Sequence, residues 1–245
     1  MTAPSPHARH GKATDEEDEV LVGPGGYAVT EKMRWRTPEW LYQVLDEEFH
    51  FDLDACSEDG CTLAPRWITV ELDALTVDWR FTYRQRCSGE PQTLAFRPYD
   101  GGPVRTAFQN PPWAASYTPK WVREAYPDVE WESFPGTGAF LQKAWEMSRV
   151  GVTSANLLPQ AFDAAWAKPL LQRAAEIRVG RRIRFIDVHG NVGPQPPGGH
   201  CLIVFRPEVP DDGLPGGPVV DWDWRPDLEY VKPFPNHGAD GADKE

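Results

Sequence analysis

The chain has 245 residues, of which 40% are hydrophobic, with 11 Trp, 11 Phe and 7 Tyr. This is enough for one folded domain with a substantial core and too short for two full domains with linkers. The formal net charge of -12 argues against a general nucleic-acid binder, because Lys and Arg supply most of the non-specific affinity for phosphates.

The two ends of the chain differ from its middle. Residues 1–26 combine Pro, Gly and five consecutive acids without apolar periodicity, which predicts a disordered acidic tail. Residues 208–245 are rich in Pro, Gly and Asp and predict an extension. Its apolar residues are expected to attach parts of it to the body; these are Val219, Val220, Trp222, Trp224 and Tyr230. Residues 27–207 are the predicted folded domain. Because much of the acid lies in the two ends, this middle part is closer to neutral.

Between these ends, short apolar strands alternate with amphipathic helices, which is typical of a sheet covered on both faces. Thr37 and Pro38 predict the start of a helix, as N-cap and first-turn residue. Further helices are predicted over residues 119–125, 140–149 and 162–175. Strands are predicted over residues 50–54, 67–70, 106–109, 152–158, 176–179, 183–186 and 201–205. The pattern therefore predicts an α/β, Rossmann-like fold with a mixed sheet of about seven strands, the last two at an antiparallel edge.

The sequence also bears on compartment and metals. No run of about 18 apolar residues occurs, and no apolar stretch follows a basic one at the N-terminus, so we expect a cytoplasmic protein without a signal peptide or membrane span. The cysteines form no Cys-x-x-Cys pair and have no histidines at zinc spacing, so we expect reduced thiols and no metal site. These cysteines are Cys56, Cys61, Cys87 and Cys201.

The motif Asn110-Pro111-Pro112-Trp113 directly follows a predicted strand. Ligands of open α/β sheets bind beyond the carboxyl ends of strands, which is where this motif lies. An aromatic amine has two N–H donors, and the Asn110 side-chain oxygen and the Pro111 carbonyl can accept them. Trp113 offers a face on which an extruded base can stack, worth roughly 1–3 kcal/mol. The alternative is a structural turn, since Asn-Pro often initiates turns.

The chain resembles the phage-type DNA N-6-adenine methyltransferase family, small enzymes related to Dam. The matches are short, and their order and spacing make them specific over about residues 35–207. They comprise Trp35–Pro38 with Leu41, Phe51–Ser57, Asp73–Leu75 with Asp78 and Trp79, Asn110–Trp113, Leu157–Pro159 with Asp163 and Trp166, Gly180–Phe185, and Cys201–Pro207. The resemblance implies a class I S-adenosylmethionine-dependent methyltransferase that acts on the N6 amine of a flipped adenine in duplex DNA. It also implies a role in protecting phage DNA from restriction.

The resemblance further implies the cofactor site. Thr37 and Pro38 would cradle the methionine end, and Asp54 would end the first strand where the cofactor loop begins. Asp73 would contact the cofactor's adenine amine, or it is a helix N-cap. The remaining implied cofactor residues are Ala55, Cys56 and Ser57 beside the methionine and ribose, and Ala74 and Leu75 beside the adenine. Two features depart from the family: no glycine-rich loop follows Asp54, and Trp113 stands where Tyr or Phe is usual.

A local basic cluster is the candidate DNA contact. Arg178, Arg181, Arg182 and Arg184 either follow a phosphate backbone or form a solvated surface. The loops at residues 80–105 and 127–138 are further candidates for target recognition. Three other functions fit the motif: methylation of RNA adenine, methylation of a protein glutamine, and a silent fold that has lost cofactor affinity.

Overall fold

The computed structural model describes residues 20–85, 102–209 and 218–222. Most of the predicted acidic tail, most of the loop at residues 80–105, Cys87 and most of the C-terminal extension lie outside the described residues. Cys56, Cys61 and Cys201 are free thiols, as the sequence predicts. None of the described helices is long and apolar enough to cross a membrane.

The described part contains ten strands, four α-helices and a short 3-10 helix at Glu31–Met33. The strands are β1 Val20–Val22, β2 Ala28–Thr30, β3 Leu53–Asp54, β4 Arg66–Trp67, β5 Arg84–Gln85, β6 Thr106–Gln109, β7 Thr153–Pro159, β8 Glu176–Gly180, β9 His200–Phe205 and β10 Val219–Asp221. The helices are α1 Glu39–Phe49, α2 Lys120–Ala125, α3 Thr137–Ser148 and α4 Ala167–Leu171.

Eight of these strands form one mixed sheet, in the order β10-β8-β9-β7-β6-β3-β4-β5. Strands β4, β3, β6 and β7 are parallel neighbours, whereas β9 is antiparallel to both β7 and β8. Consequently β8 runs in the same direction as β7. The carboxyl ends of β3, β6, β7 and β8 therefore share one edge of the sheet, where the predicted motif and the basic cluster both lie.

Side chains of the central strands alternate between two hydrophobic clusters, one on each face of the sheet. Ala107 packs with α3 and α4 on one face, while its neighbour Phe108 packs with α1 on the other. The same alternation separates Ile203 from Leu202 in β9. Since successive residues of a strand point to opposite faces, this pattern shows a sheet covered by helices on both sides. The predicted mixed α/β layering is confirmed, with eight strands in the sheet rather than about seven.

The predicted strand at residues 183–186 is wrong. Ile183 and Phe185 are buried in alternation, as in a strand, but the backbone N–H of Ile183 donates to Nδ1 of His200 at 3.1 Å rather than to a neighbouring strand. Isolated bridges join Ile186 to Arg36 and to Val192, and neither residue belongs to a strand of the sheet. At that edge of the sheet, β10 pairs with β8 instead, so residues 219–221 of the predicted extension belong to the sheet.

Three other predicted elements are shorter in the structure. The predicted strand at 50–54 is reduced to β3, which comprises Leu53 and Asp54 only. The predicted helix at 162–175 is reduced to α4, because Pro169 lacks an N–H and is tolerated only in a first turn. The predicted strand at 67–70 is reduced to β4, and the chain turns immediately afterwards.

The predicted disordered tail extends too far. Its last residues include β1, which pairs antiparallel with β2 and buries Val20. Tyr27, beside β2, forms a bridge with Glu132 and packs edge-on against Phe134 at 5.6 Å. This hairpin therefore belongs to the folded body, and it brings Tyr27 to the cavity described next.

Candidate active site

A cavity of about 800 Å³, including its mouth, opens at the carboxyl ends of β3 and β6. Its wall contains most of the predicted cofactor residues, namely Thr37, Asp54, Ala55, Cys56, Ser57, Asp73 and Ala74. Asn110 and Pro112 of the four-residue motif also line it. Pro38 and Leu75 lie beside the lining residues without forming part of the wall. The structure thus gathers residues from four separate sequence stretches around one space.

Asn110 is 9% exposed, and a neighbouring carbonyl fixes its side-chain amide. Nδ2 of Asn110 donates a 2.8 Å hydrogen bond to the main-chain oxygen of Trp35, so Oδ1 remains as an acceptor. The Pro112 carbonyl is engaged, because it accepts from the Thr137 hydroxyl at 3.1 Å. No described residue donates to the carbonyl of Pro111. Both acceptors that the sequence suggests for an amine are therefore unengaged.

Trp113 belongs to an aromatic cluster beside the cavity. Its ring meets Phe185 edge-on at 4.5 Å and lies tilted against His200 at 5.0 Å. The indole Nε1 is buried and finds no hydrogen-bond partner among the described residues. These contacts hold the Trp113 ring in place, and they put it outside the cavity wall rather than in it.

Asp54, the last residue of β3, is 5% exposed. Burial raises the pKa of Asp54 to about 6, against hydrogen bonds from Cys56, Ser57 and Leu63 that lower it. Backbone N–H groups along this turn are used internally, since Ala55 donates to β6 and Cys56 donates to the Asp54 carboxylate. A ligand can therefore pack against this turn and bind the Asp54 carboxylate, but the N–H groups of Ala55 and Cys56 are not available to it.

Asp73 is 2% exposed and has a left-handed backbone, with φ of 58°. Its Oδ1 accepts hydrogen bonds from the Tyr27 hydroxyl and the Leu75 backbone, both at 3.0 Å. Its carbonyl accepts from the N–H groups of Thr76 and Val77. Asp73 therefore caps a turn and also lines the cavity; the described residues directly after it form no helix, so the alternative interpretation as a helix N-cap is wrong.

Three buried polar atoms of the lining residues have no partner among the described residues: Nε of Arg36, Oγ1 of Thr37 and Oγ1 of Thr69. The hydroxyl of Thr37 does not cap α1, so the predicted cap is wrong and Pro38 is the N-cap residue. Nearby, Arg34 and Glu58 form an ion pair, with Nη2 and Oε2 2.8 Å apart. Buried unpaired polar groups are costly, so these atoms indicate a polar ligand.

The model of a family described as DNA N-6-adenine-methyltransferase (Dam) matches residues 27–210 of this chain. The chain belongs to the DNA N-6-adenine-methyltransferase (Dam) family. The matched range covers every strand of the central sheet except β10.

Individual proteins match this chain over shorter stretches. The DNA N-6-adenine-methyltransferase of Haemophilus phage HP1 is 36% identical over 56 residues, which are 22% of this chain and 32% of the phage protein. The match therefore spans about a third of that relative. A type I restriction-modification methyltransferase subunit from Streptococcus thermophilus, of known crystal structure, is 14% identical with a TM-score of 0.30, covering 57% of this chain and 28% of that subunit. A structural similarity this low supports no conclusion about the fold or function of this chain.

In this Dam-family chain the four predicted DNA-contacting arginines separate into two groups. Arg178 is an internal residue: its side chain is 11% exposed and forms ion pairs with Glu48 and Glu176. Glu48 lies in the last turn of α1, about 14 Å along the axis from the first residue of that helix. Thr37, which lines the cavity, precedes that first turn. Arg178 is therefore wrongly placed in the predicted DNA contact. In contrast, Arg181, Arg182 and Arg184 are exposed and follow the carboxyl end of β8.

Sequence reasoning missed several residues of the cavity wall. Arg36 precedes Thr37 directly, so its position beside a predicted cofactor residue was an available signal. Tyr27 gave no such signal, since it lies at the edge of a segment without apolar periodicity. The other missed residues include Arg34, Glu58, Thr69, Val70 and Phe140.

Proposed function

We propose that this protein transfers a methyl group from S-adenosylmethionine to the N6 amine of adenine in duplex DNA. The target base is turned out of the helix onto the loop of Asn110, Pro111, Pro112 and Trp113. The observation that carries this proposal is the hydrogen bond from Nδ2 of Asn110 to Trp35, because it leaves Oδ1 as an acceptor beside the unengaged carbonyl of Pro111.

The two acceptors of this loop match the two N–H donors of an aromatic amine. When both N–H bonds are held, the lone pair of the nitrogen is drawn out of ring conjugation and becomes available for attack. The cofactor would supply an electrophilic methyl group on a sulfonium and become a thioether as the carbon–sulfur bond breaks. The nitrogen, positively charged after it gains the methyl group, would release one proton to solvent. Asn110 is neutral, so this arrangement uses no strong base in the loop. Trp113 is half-buried against Phe185, which holds its ring ready to stack on the base.

The polar groups of the cavity wall match the parts of S-adenosylmethionine. Arg36 and Thr37 would hold the carboxylate of its methionine end, because both have buried atoms without a described partner. The Asp54 carboxylate would accept from ribose hydroxyls, and Asp73 from the adenine amine. Pro38 and Leu75 would support Thr37 and Asp73 rather than contact the cofactor.

The exposed arginines at positions 181, 182 and 184 would contact DNA phosphates at the edge of the sheet that carries Asn110. A local cluster of this kind supplies phosphate affinity although the whole chain carries a charge of -12. Adenine methylation would protect DNA against restriction endonucleases, a role suited to a phage or prophage. The similarity to a protein of phage HP1 supports this part of the proposal.

The test is nucleoside mass spectrometry of adenine-unmethylated duplex DNA incubated with the protein and S-adenosylmethionine. We expect N6-methyladenine with the wild type and with Gln43→Ala, which removes an exposed side-chain amide on α1 that donates to Glu39. Asn110→Ala should yield none while still binding S-adenosylhomocysteine. If RNA or a protein glutamine is methylated and DNA is not, the proposed substrate is wrong and the methylated molecule takes its place. Absence of cofactor binding to the wild type would indicate a silent fold.

A further inference from the structure

Residues 183–193, here called the brace segment, contact Trp113 directly and reach Asn110, at the other end of the loop, through Trp35 and Arg36. We infer that the brace segment positions Asn110 through Trp35 and so couples the exposed arginines to the geometry of methyl transfer. This inference rests on the function proposed above. Trp35 and Gly193 are positioning residues in this view, since neither contacts the reacting atoms.

At the Asn110 end, the brace segment is paired with the main chain beside Trp35. Arg36 donates its N–H to the carbonyl of Ile186 at 2.8 Å, and Ile186 donates to the carbonyl of Arg36 at 3.0 Å. The guanidinium of Arg36 also donates to the carbonyl of Val188 at 2.9 Å. These bonds hold the residue that follows Trp35, whose own carbonyl receives the Asn110 amide.

The ring of Trp35 lies directly on Gly193. A Cβ atom at position 193 would be 2.5 Å from Cζ3 of Trp35, closer than real contacts allow, and 3.2 Å from the carbonyl of Phe185. The N–H of Gly193 donates to that carbonyl at 2.7 Å, so the glycine cannot easily withdraw. Position 193 therefore requires glycine because the Trp35 ring occupies the space of a side chain.

At the Trp113 end, the brace segment contributes Phe185, which meets the Trp113 ring edge-on. Ile183 binds Nδ1 of His200, and the His200 ring lies against Trp113 as well. One segment thus supports the amide that would accept the target amine and the ring that would stack on the base. Arg184 lies within the same segment, and Arg181 and Arg182 immediately precede it.

The orientation of the Asn110 amide decides whether it attracts or repels an amine. With the Trp35 carbonyl in place, Nδ2 is occupied and Oδ1 is presented. If that carbonyl moves, the amide can rotate and present N–H donors to the N–H donors of the target, which is unfavourable. Displacing a positioned group by about 1 Å can cost about a hundredfold in rate. A displacement confined to the Trp35 carbonyl therefore acts on kcat, while the bonds from the brace segment to Arg36, which would hold the cofactor carboxylate, stay in place.

The first experiment compares Gly193→Ala with Gly198→Ala in the full-length protein. Position 198 is a matched control, because a Cβ there has no neighbour within 4 Å and its backbone is not in the left-handed region. We expect Gly193→Ala to lower kcat about a hundredfold with an almost unchanged KM for S-adenosylmethionine. Gly198→Ala should behave like the wild type. Equal kcat values for the two variants would overturn the inference.

A suppressor separates crowding of Trp35 from general damage. The Cβ of an alanine at position 193 would approach the outer ring atoms of Trp35, which phenylalanine lacks. Trp35→Phe combined with Gly193→Ala should therefore recover most of the lost kcat, a coupling that independent sites do not show. If Gly193→Ala fails to fold, Trp35→Ala is the second variant. It keeps the main-chain carbonyl of residue 35 but removes the ring that packs on Gly193 and holds that carbonyl in place, so it should lower kcat similarly without crowding. An unchanged kcat in Trp35→Ala would contradict the inference.

A readout that needs no turnover keeps this inference distinct from the proposed function. The side-chain amide signals of Asn110 in ¹⁵N-labelled protein, assigned by their loss in Asn110→Ala, report its bond to Trp35. They should shift in Gly193→Ala and stay unchanged in Gly198→Ala. If the wild type methylates no substrate, the proposed function fails while this result still tests the brace. Unshifted Asn110 signals in Gly193→Ala would overturn the brace alone.

Discussion

The hydroxyl of Tyr27 donates a 3.0 Å hydrogen bond to Oδ1 of Asp73, 46 residues further along the chain. Burial, and then the nearby Asp73 carboxylate, raise the pKa of Tyr27 above its usual range, so the hydroxyl remains a donor at neutral pH. Leu75 donates to the same oxygen. Among the described residues nothing donates to Oδ2, which leaves that oxygen of Asp73 for a ligand amine.

Tyr27→Phe should therefore weaken cofactor binding without changing the reaction itself. The Asp73 carboxylate loses a donor that fixes its orientation, and a buried charged acceptor left short of a partner costs about 1–3 kcal/mol. We expect the Kd for S-adenosylhomocysteine to rise about tenfold, measured by calorimetry, and the unfolding temperature to fall.

The control for Tyr27 is Tyr117→Phe, which removes a hydroxyl from a side chain that is 53% exposed. Both measurements should match the wild type in this variant.

A second test of the Asp73 contact uses the inosine analogue, in which a carbonyl replaces the cofactor's adenine amine. If Asp73 accepts from that amine, the wild type discriminates against the analogue and Tyr27→Phe discriminates less. An unaltered preference would remove Asp73 from the adenine site.

Cofactor affinity should depend on pH through Asp54. Burial raises the pKa of this carboxyl to about 6, and hydroxyl donors of a ribose would bind the ionised form. Below that pKa the protein must lose a proton on binding, so the Kd should rise by up to about tenfold per pH unit as the pH falls through 6. Asp54→Asn should give a weaker and nearly flat profile. Calorimetry from about pH 7 to 5 checks this, and a flat wild-type profile would contradict the role of Asp54.

The sequence predicted those parts of the site whose chemistry lies in contiguous residues. The motif beginning at Asn110 follows β6, and the order of the strands was enough to place it at the carboxyl edge. Tyr27 and the carbonyl of Trp35 could not be found this way, because their roles depend on contacts with Asp73 and Asn110 far along the chain. Pairwise contacts of this kind leave no periodic signal in one sequence.

The misassigned strand at residues 183–186 has a related cause. Alternating burial of Ile183 and Phe185 reports where side chains point, whereas a strand also needs a partner for its main chain. His200 supplies a side-chain acceptor for Ile183, and Arg36 pairs with Ile186, so this segment satisfies its backbone outside the sheet. The sequence shows the burial pattern and conceals the choice of partner.

His200 should make the fold sensitive to acid. Burial lowers its pKa to about 4, so between about pH 6.5 and 4 the unfolded chain binds a proton that the native protein does not. The contribution of His200 therefore falls as the pH falls through this range, by no more than about 3 kcal/mol. Asp54 has the opposite sign there, because its raised pKa lets the native state bind a proton first.

The His200 effect is isolated by comparing variants rather than by the wild type alone. His200→Asn keeps an acceptor for the Ile183 N–H and removes the titration. We expect the stability difference between wild type and variant, measured by urea unfolding, to favour the wild type less at about pH 4.5 than at pH 7. A stability difference that stays constant across this pH range would show that the pKa of His200 is the same in the native and unfolded states.

The division of the basic cluster predicts two distinct phenotypes. Arg181, Arg182 and Arg184 are exposed, so replacing all three by Gln should weaken DNA binding and leave the fold intact. If each contacts one phosphate, the slope of log K against log salt should become shallower by about 0.9 per arginine. Fluorescence anisotropy with labelled duplex DNA at several salt concentrations measures both quantities.

Arg178→Gln, within β8 itself, is the counterpart of this triple variant. It breaks the ion pairs with Glu48 and Glu176 beneath the end of α1, and it should lower the free energy of unfolding by about 1–3 kcal/mol. Its DNA affinity and salt slope should equal those of the wild type, since the guanidinium is already neutralised by carboxylates. The triple variant should show the reverse: normal unfolding with weakened, less salt-dependent binding. If Arg178→Gln instead lost DNA affinity with unchanged stability, the phosphate path would cross β8 itself, and the assignment of the carboxyl edge as the DNA-facing side would fall.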